Sequence, residues 1–251
     1  MERANQMAER QRVLLLTGAS RGIGHATVKT FSDNGWRVLT ISRQPFDPRC
    51  PWEGGAKNHI QLDLADMALV QAEMPRLRDI VGERLDALIN NAAVSPKWPD
   101  GGKIGALEMG YADWLHIFNV NFFSCLALVQ GLRAPLEVAR GTVVNMSSIV
   151  GSRVHPYASA AYATSKAALW ALTRELAADF GRVGVRVNAV SPGEIDTGIL
   201  SPGTEAIVDR DIPLHRLGKP KEVADLLLFL CSQTASYISG SEIHIDGGQR
   251  V

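Results

Sequence analysis

The chain of 251 residues is long enough for one α/β domain and leaves little room for an independent second domain. Its 26 Lys and Arg residues balance 26 Asp and Glu residues, and this zero net charge argues against large polyanionic partners such as nucleic acid. Apolar residues make up 46% of the chain and charged residues 21%, which argues against extensive disorder and predicts a soluble globular protein.

The cysteines and histidines predict neither a disulfide framework nor a metal site. Cys50, Cys125 and Cys231 are odd in number and widely spaced, which is typical of a reducing cytosol. The start, MERANQMAER, lacks the apolar segment of a secretory signal, and no apolar run approaches the ~18 residues of a membrane span. We expect a cytoplasmic protein that binds no metal and no membrane, with a flexible tail at 1–11 and one domain at 12–251.

Strand and helix patterns alternate along the chain. Short apolar runs predict strands at 13–16, 37–42, 59–62, 87–89, 143–146, 185–190 and 242–245. Helical patterns follow the first strand to about residue 34 and recur near 66–80, 111–130, 160–181 and 220–231. Such alternation predicts an α/β fold, a Rossmann-type doubly wound parallel sheet of about seven strands with helices on both faces.

Three Pro- and Gly-rich stretches interrupt this alternation and predict loops at 44–57, 95–105 and 193–218, with a short helix in the last. The second and third follow strands four and six. Because ligands of such sheets bind beyond the carboxyl ends of the strands, we expect the substrate mouth there. Selectivity would depend on Trp98, Glu194, Leu200 and residues 201–214, although Trp98 can equally be an exposed residue without a role.

A glycine-rich turn, TGASRGIG at 17–24, follows the first strand and opens the first helix. Glycines permit a tight turn and a close approach of the backbone to pyrophosphate, and the helix N-terminus offers free N–H groups. An ordinary strand–helix turn can have the same composition. The turn nevertheless favours a dinucleotide site lined by Gly18, Ser20, Arg21, Gly22, Ile23 and Gly24.

The end of the second strand favours NADP(H) over NAD(H). It reads Ile41-Ser42-Arg43 and lacks the acidic residue that hydrogen-bonds the ribose 2′-hydroxyl in an NAD site. Arg43, together with Arg21 from the glycine turn, would attract a 2′-phosphate. The alternative is that both arginines are solvated surface charges.

Tyr162 and Lys166 lie four residues apart and therefore project from one face of a predicted helix. A tyrosine pKa of about 10 is too high for a ready base at neutral pH. We expect the Lys166 ammonium to favour the phenolate and to lower this pKa, so that Tyr162 can act as a general acid and base. Alone, this spacing is common on helices.

Together these motifs resemble the short-chain dehydrogenase/reductase family over residues 11–250. The resemblance rests on the glycine turn, Asn90-Asn91-Ala92-Ala93, Ser147-Ser148, Tyr162-x-x-x-Lys166, Ser191-Pro192-Gly193 and Asp246-Gly247-Gly248. It implies hydride transfer between a nicotinamide and a carbonyl/alcohol pair. It does not identify the substrate, and a 3-oxoacyl thioester, a sugar, a polyol and a small ketone all stay open.

The resemblance also implies roles for single residues. Ser148, with Ser147 as the alternative, would hold the substrate oxygen, and Asn121, rather than Asn119, would hold a water that links Lys166 to solvent. The residues implied to contact the cofactor beyond the glycine turn and second strand are Asp63, Leu64, Asn90, Ala92, Tyr162, Lys166, Pro192, Gly193, Ile195 and Thr197. Ala93 replaces the usual glycine of the family motif, and we expect this to be tolerated.

The resemblance further implies a homotetramer, with a dimer as the alternative, assembled through the helices near 111–130 and 160–181. A rival hypothesis is an NADP(H)-binding sensor without significant turnover. Such proteins tend to lose a member of the catalytic set, whereas Asn121, Ser148, Tyr162 and Lys166 are all present. The expected partners are therefore a small carbonyl or alcohol substrate and further copies of the chain.

Overall fold

The computed structural model describes residues 10–48, 50, 52, 54–197 and 203–251. Most of the tail expected at 1–11 lies outside the described residues, as do Leu200 and positions 201 and 202 of the expected selectivity segment.

Within the described residues, seven strands form one parallel sheet, as predicted. The strands are β1 (Val13–Thr17), β2 (Arg37–Ser42), β3 (His59–Gln61), β4 (Ala87–Asn90), β5 (Thr142–Met146), β6 (Arg186–Pro192) and β7 (Glu242–Ile245). Their order is β3-β2-β1-β4-β5-β6-β7. The chain therefore reverses its direction across the sheet between β1 and β4, which is where doubly wound sheets bind ligands.

Helices connect most of the strands. They are α1 (Gly22–Asp33), α2 (Met67–Val81), α3 (Tyr111–Phe118), α4 (Ser124–Gly131), α5 (Arg133–Ala139), α6 (Ala160–Gly181), α7 (Thr204–Asp211) and α8 (Pro220–Leu230). A π-helical turn, Asn119–Phe123, separates α3 from α4 within the helix predicted near 111–130. The sequence pattern does not predict α5, in which Pro135 stands in the first turn, where an N–H has no helical partner. The short helix predicted within 193–218 is α7.

The two faces of the sheet build two separate cores. Leu14 and Leu16 of β1 pack with residues of α1 and α8, such as Phe31 and Leu227. Leu15, between them in the chain, packs on the opposite face with residues of α2, α4 and α6. Side chains of a strand alternate between its faces, so burial of both faces explains the continuous apolar runs in the sequence.

The crossover from β2 to β3 carries no helix among its described residues, in agreement with the loop predicted at 44–57. Because no helix covers this edge of the sheet, a cavity of 1110 Å³ opens between α1 and the loop. Its lining includes His25 and Trp52, whose ring centroids lie 4.6 Å apart. The cavity reaches Ser20 and Ser42 at the carboxyl edge of the sheet.

Among the described residues, the stretch Tyr111–Gly131 has the length and apolar composition that a membrane span requires. This stretch comprises α3, the π-helical turn and α4, and it packs against α2 and α6. Its buried residues include Ile117, Val120 and Leu128. Core packing accounts for the apolar character of the buried side, and 39% of the most apolar 18-residue window is buried.

Candidate active site

The candidate residues converge at the carboxyl edge of the sheet. The glycine turn follows β1, Asn91 follows β4, Ser147 and Ser148 follow β5, and Gly193 follows β6. Since all seven strands are parallel, these segments emerge at one edge. The sheet therefore brings together motifs that are far apart in the sequence.

The glycine turn is packed too closely for side chains. Gly18 and Gly22 have φ angles of +72° and +53°, a region that residues with a side chain rarely adopt. A Cβ on Gly24 would lie 2.0 Å from the carbonyl oxygen of Gly18. A Cβ on Gly22 would lie 3.0 Å from Cγ2 of Thr197, so the turn also touches the segment that follows β6. The glycines let α1 start against β1 and leave its N-terminus open to an anion.

Thr17 and Asn91, which the sequence analysis did not assign, hold this turn in place. The Thr17 hydroxyl accepts hydrogen bonds from the main-chain N–H groups of Asn91 (3.0 Å) and Ala92 (2.9 Å). Nδ2 of Asn91 donates to the carbonyl oxygens of Thr17 (3.0 Å) and Gly18 (2.9 Å). Both residues stand in the quoted motifs, but a sequence pattern does not show which side chain turns back to the backbone.

Arg21 and Arg43 are both exposed at this edge. Neither guanidinium makes a hydrogen bond or an ion pair with any residue that the structure describes. Ser42 precedes Arg43, and its hydroxyl donates to the carbonyl oxygen of Gln44 at 2.9 Å. Two uncommitted cations at one edge of a dinucleotide turn fit a doubly charged phosphate.

Asn90, which the resemblance assigns to the cofactor site, is the last residue of β4. Its side chain is buried, and Nδ2 donates to Oδ1 of Asn145 at 2.8 Å. Nδ2 of Asn145 in turn donates to the Thr173 hydroxyl on α6 at 2.9 Å. The Asn90 side chain therefore ties β4 through β5 to α6.

Asp63 and Leu64, the two residues after β3 that the resemblance assigns to the cofactor site, differ in their exposure to solvent. Asp63 is exposed, and its Oδ1 accepts a hydrogen bond from the N–H of Ala65 at 2.9 Å. Leu64 is buried in the core that contains α2. Asn119 donates to the carbonyl oxygen of Ala65 at 2.9 Å, so its side chain supports this turn and not the catalytic residues.

Lys166 is a buried cation beside Tyr162. Its side chain is 2% exposed, and Nζ donates to the carbonyl oxygen of Met146 at 2.6 Å. Nζ lies 5.6 Å from the centroid of the Tyr162 ring. Burial lowers the pKa of Lys166 to about 8, because a charged amine loses its hydration.

Ser148 lies within hydrogen-bonding reach of Tyr162. Burial raises the pKa of Tyr162, the bond from Ser148 lowers it, and the nearby Glu194 carboxylate raises it. The net direction is upward, opposite to the sequence-based expectation, because the loss of hydration outweighs the hydrogen bond. Ser147 is buried, and its hydroxyl donates to the carbonyl oxygen of Lys166 at 3.1 Å, which favours Ser148 as the residue facing a substrate.

Asn121 connects the loop after β4 to α6. It is fully buried in the π-helical turn, and its Oδ1 accepts from the N–H of Val94 at 2.8 Å. Its Nδ2 donates to the Val94 carbonyl oxygen and to the Ser165 hydroxyl, both at 3.0 Å. Both protons of Nδ2 are thus donated within the protein, and Oδ1 keeps one acceptor position. A water between Asn121 and Lys166 would therefore bind Oδ1 or the main chain of Asn121.

The segment after β6 is held by the C-terminal turn. A Cβ on Gly193 would lie 2.7 Å from Oε1 of Gln249, and this oxygen accepts from the N–H of Glu194 at 3.2 Å. Ile195 is buried against the core that contains α1 and α8. Pro192 ends β6 beside Ile245 of β7. Together these contacts fix the backbone that the resemblance assigns to the nicotinamide.

A family model described as "Enoyl-(Acyl carrier protein) reductase" matches residues 18–250. The chain is 52% identical to "Protein FixR" of Bradyrhizobium diazoefficiens, over 96% of this chain and 87% of that protein. It is 33% identical to a 3-oxoacyl-[acyl-carrier-protein] reductase of Aquifex aeolicus, over 94% of this chain and 96% of that protein.

A similar solved structure is a Brucella ovis oxidoreductase described as a short-chain dehydrogenase/reductase in complex with partially ordered NAD. It is 50% identical, with a TM-score of 0.82, and the match covers 94% of this chain and 100% of that one. The chain belongs to the short-chain dehydrogenase/reductase family. Its fold and oxidoreductase class follow from this membership.

Two further residues border the site of this short-chain dehydrogenase/reductase. His155, which the sequence analysis did not assign, places Nε2 3.0 Å from Oε1 of Glu194. Glu194 was expected to affect selectivity. Trp98, by contrast, is 45% exposed, and no contact described for its side chain places it at the catalytic residues. The loop around Trp98 reaches α6 through its backbone, where Ala160 N–H donates to the Ile104 carbonyl oxygen at 3.1 Å.

The packing of the glycine turn gives a direct test. We expect Gly24→Ala to weaken NADPH binding at least about tenfold, equivalent to 1.4 kcal/mol, because the new Cβ would displace the main chain of Gly18. Titration of NADPH fluorescence measures the Kd. Gly181→Ala is the matched control, since a Cβ there meets nothing within 4 Å. An unchanged Kd in folded Gly24→Ala protein would contradict the assigned role of the turn.

Proposed function

We propose that this short-chain dehydrogenase/reductase interconverts a carbonyl and a secondary alcohol with NADP(H), using Tyr162 as the general acid and base. The observation that carries the proposal is the convergence of Ser148, Tyr162 and Lys166 at one edge of the sheet. Ser148 lies within hydrogen-bonding reach of Tyr162, and the Lys166 ammonium lies one helical turn away. A phenol supported by a hydroxyl and a cation is suited to proton transfer at a carbonyl oxygen.

The roles of the side chains follow from this arrangement. The hydroxyls of Ser148 and Tyr162 donate hydrogen bonds to the carbonyl oxygen of the substrate and polarise it. NADPH, when bound, would supply the hydride. Tyr162 gives its proton to the substrate oxygen, and Lys166 stabilises the phenolate that results. The raised pKa of Tyr162 keeps the phenol protonated at neutral pH, which suits proton donation in the direction of reduction.

The residues of the glycine turn fit a dinucleotide, and the preference for NADP(H) rests on two arginines. Gly18, Gly22 and Gly24 leave no room for a Cβ where a pyrophosphate would approach the backbone. The guanidinium groups of Arg21 and Arg43 have no partner among the described residues, so both are free to bind a 2′-phosphate. The Brucella ovis relative binds NAD, so the preference has to be measured for this chain.

A 3-oxoacyl thioester is one candidate substrate. Relatives named 3-oxoacyl-[acyl-carrier-protein] reductase, 30–33% identical to this chain, support it. Sugars, polyols and small ketones are the other candidates. We further propose a cytoplasmic location, which the three free cysteines of the described residues support.

We also propose a homotetramer, with α3, α4 and α6 at one of its interfaces. Tyr111 and Leu115 of α3 and Phe123 of the π-helical turn are exposed. Trp114 stacks on Phe118 there, with ring centroids 6.2 Å apart. A cluster of exposed aromatic and aliphatic residues on one side of a helix is typical of a subunit contact.

Replacement of the phenol tests the mechanism. We expect Tyr162→Phe to lower kcat by about 100- to 10,000-fold, the range of general acid–base catalysis, while the Kd of NADPH changes little. Oxidation of NADPH is followed at 340 nm with a panel of ketones, aldehydes and 3-oxoacyl thioesters. Tyr237→Phe is the control, because Tyr237 is fully exposed. Wild-type turnover in Tyr162→Phe would refute the assignment. Tight NADPH binding without turnover in the wild-type enzyme across the panel would favour the sensor hypothesis.

The cofactor preference depends on the charge of Arg43. We expect Arg43→Ala to raise the KM of NADPH about tenfold or more, since a hydrogen bond to a charged group contributes about 1.5–3 kcal/mol. The KM of NADH should change little, because NADH has no 2′-phosphate. Arg78→Ala, on the exposed side of α2, is the matched control. Equal changes for both cofactors would count against a 2′-phosphate site.

The proposed interface predicts an effect on assembly. Leu115→Glu should dissociate the tetramer, because a carboxylate buried in an apolar contact loses its hydration. Leu69→Glu is a closely matched control, since Leu115 is 42% exposed and Leu69, on α2, is 41% exposed. Light scattering after size-exclusion chromatography gives the mass of each assembly. A tetramer that persists in Leu115→Glu would place the interface elsewhere.

A further inference from the structure

Glu194 and His155 join two segments that flank the reacting hydroxyls. Glu194 directly follows Pro192 and Gly193 at the end of β6, and His155 lies in the segment between Ser148 and α6. Oε1 of Glu194 is 3.0 Å from Nε2 of His155. A carboxylate is therefore held beside the place where the substrate oxygen would bind.

Both partners are fixed by further contacts. The main chain of Glu194 accepts from the N–H of Gly218 at 2.9 Å and donates to Oε1 of Gln249 at 3.2 Å. Nδ1 of His155 accepts from the N–H of Tyr157 at 3.3 Å. These contacts fix the backbone of Glu194 and the ring of His155.

The charged side chains that act on Asp211, close to His155, are Arg210 and Arg153. Arg210 pairs with Asp211 at 2.6 Å, so these two neutralise each other. The Arg153 guanidinium donates to the carbonyl oxygen of Gln249 and contributes to holding the pKa of Asp211 below its ordinary value. The side chain of Glu194 is 23% exposed, so its carboxylate can be reached by a ligand. Its negative charge also acts on the reacting group, since it raises the pKa of Tyr162.

We propose that Glu194 is a specificity-determining residue that favours carbonyl substrates with a hydroxyl or ammonium group near the reacting carbon and disfavours those with a carboxylate there. The inference deepens the proposed function and rests on it. An ionised carboxylate only accepts hydrogen bonds, so it matches a donor on the substrate. A second carboxylate at the same place would meet like-charge repulsion in a partly desolvated pocket.

Three ketones with the same four-carbon frame test this selectivity. They are 4-amino-2-butanone, 4-hydroxy-2-butanone and acetoacetate, which differ in the group at the carbon farthest from the methyl ketone. We expect the wild-type enzyme to show a kcat/KM for the amino ketone at least about tenfold above that for acetoacetate. In Glu194→Gln, which keeps the shape and removes the charge, this ratio should fall about tenfold, mostly through KM.

A matched control separates local charge from net charge. Glu83→Gln removes the same charge in the turn after α2, where Glu83 is exposed, and should leave the ratio unchanged. Circular dichroism and the Tm establish that each variant is folded. The same ratio in the wild type and in Glu194→Gln would overturn the proposal, as would a wild-type preference for acetoacetate.

A binding measurement separates this inference from the proposed reaction. Tyr162→Phe with bound NADPH is titrated with each of the three ketones, and NADPH fluorescence reports the Kd. If the wild type reduces none of the three ketones, the binding measurement still tests the charge selectivity. The selectivity is supported if the Kd increases from the amino to the hydroxy to the carboxylate ketone and if this order disappears in the double variant Tyr162→Phe/Glu194→Gln. Equal Kd values, or binding of none of the three, would overturn it. The reductase proposal is judged separately, by turnover of the wider panel.

Discussion

The carboxyl ends of β1 and β4 are tied together by the side chains of Thr17 and Asn91, and the candidate cofactor site depends on this tie. Thr17 accepts the N–H groups of Asn91 and Ala92, while Asn91 donates to the carbonyl oxygens of Thr17 and Gly18. These are buried or half-buried polar groups, and each would cost about 1–3 kcal/mol if left unpaired. The turn is therefore preorganised at the point where the sheet reverses direction, with the N-terminus of α1 open.

The proposed catalytic residues lie after the neighbouring strand, β5, and on α6, and their positions depend on a second buried contact. Lys166 is held through Nζ by the carbonyl oxygen of Met146 at the end of β5, so the orientation of α6 is tied to the sheet. Ser147 strengthens the same connection by donating to the Lys166 carbonyl oxygen. Asn121 clamps α6 to the loop after β4. Three polar contacts thus set the position of Tyr162 relative to the glycine turn.

The order of the strands and helices could be predicted from the sequence because the spacing of apolar residues follows directly from which side chains are buried. The strands of a sheet that is covered on both faces are continuous apolar segments in the sequence. Turns with positive φ angles favour glycine. The directions of polar side chains could not be predicted in this way. Asn90 turns into the sheet towards Asn145, and the π-helical turn at Asn121 interrupts a continuous helical pattern. Both outcomes depend on partners more than 20 residues away, which periodicity does not report.

In the proposed mechanism, the burial of Tyr162 and Lys166 favours one direction of proton transfer. Burial raises the pKa of Tyr162 and lowers the pKa of Lys166 to about 8, so both shifts favour the neutral form. Near neutral pH the phenol keeps its proton, while the amine still carries most of its charge. Glu194 acts in the same direction on Tyr162, because a nearby negative charge disfavours a phenolate. The carboxylate that we propose to select the substrate would therefore also help to keep Tyr162 ready to donate a proton, and a single side chain would couple substrate choice to reduction.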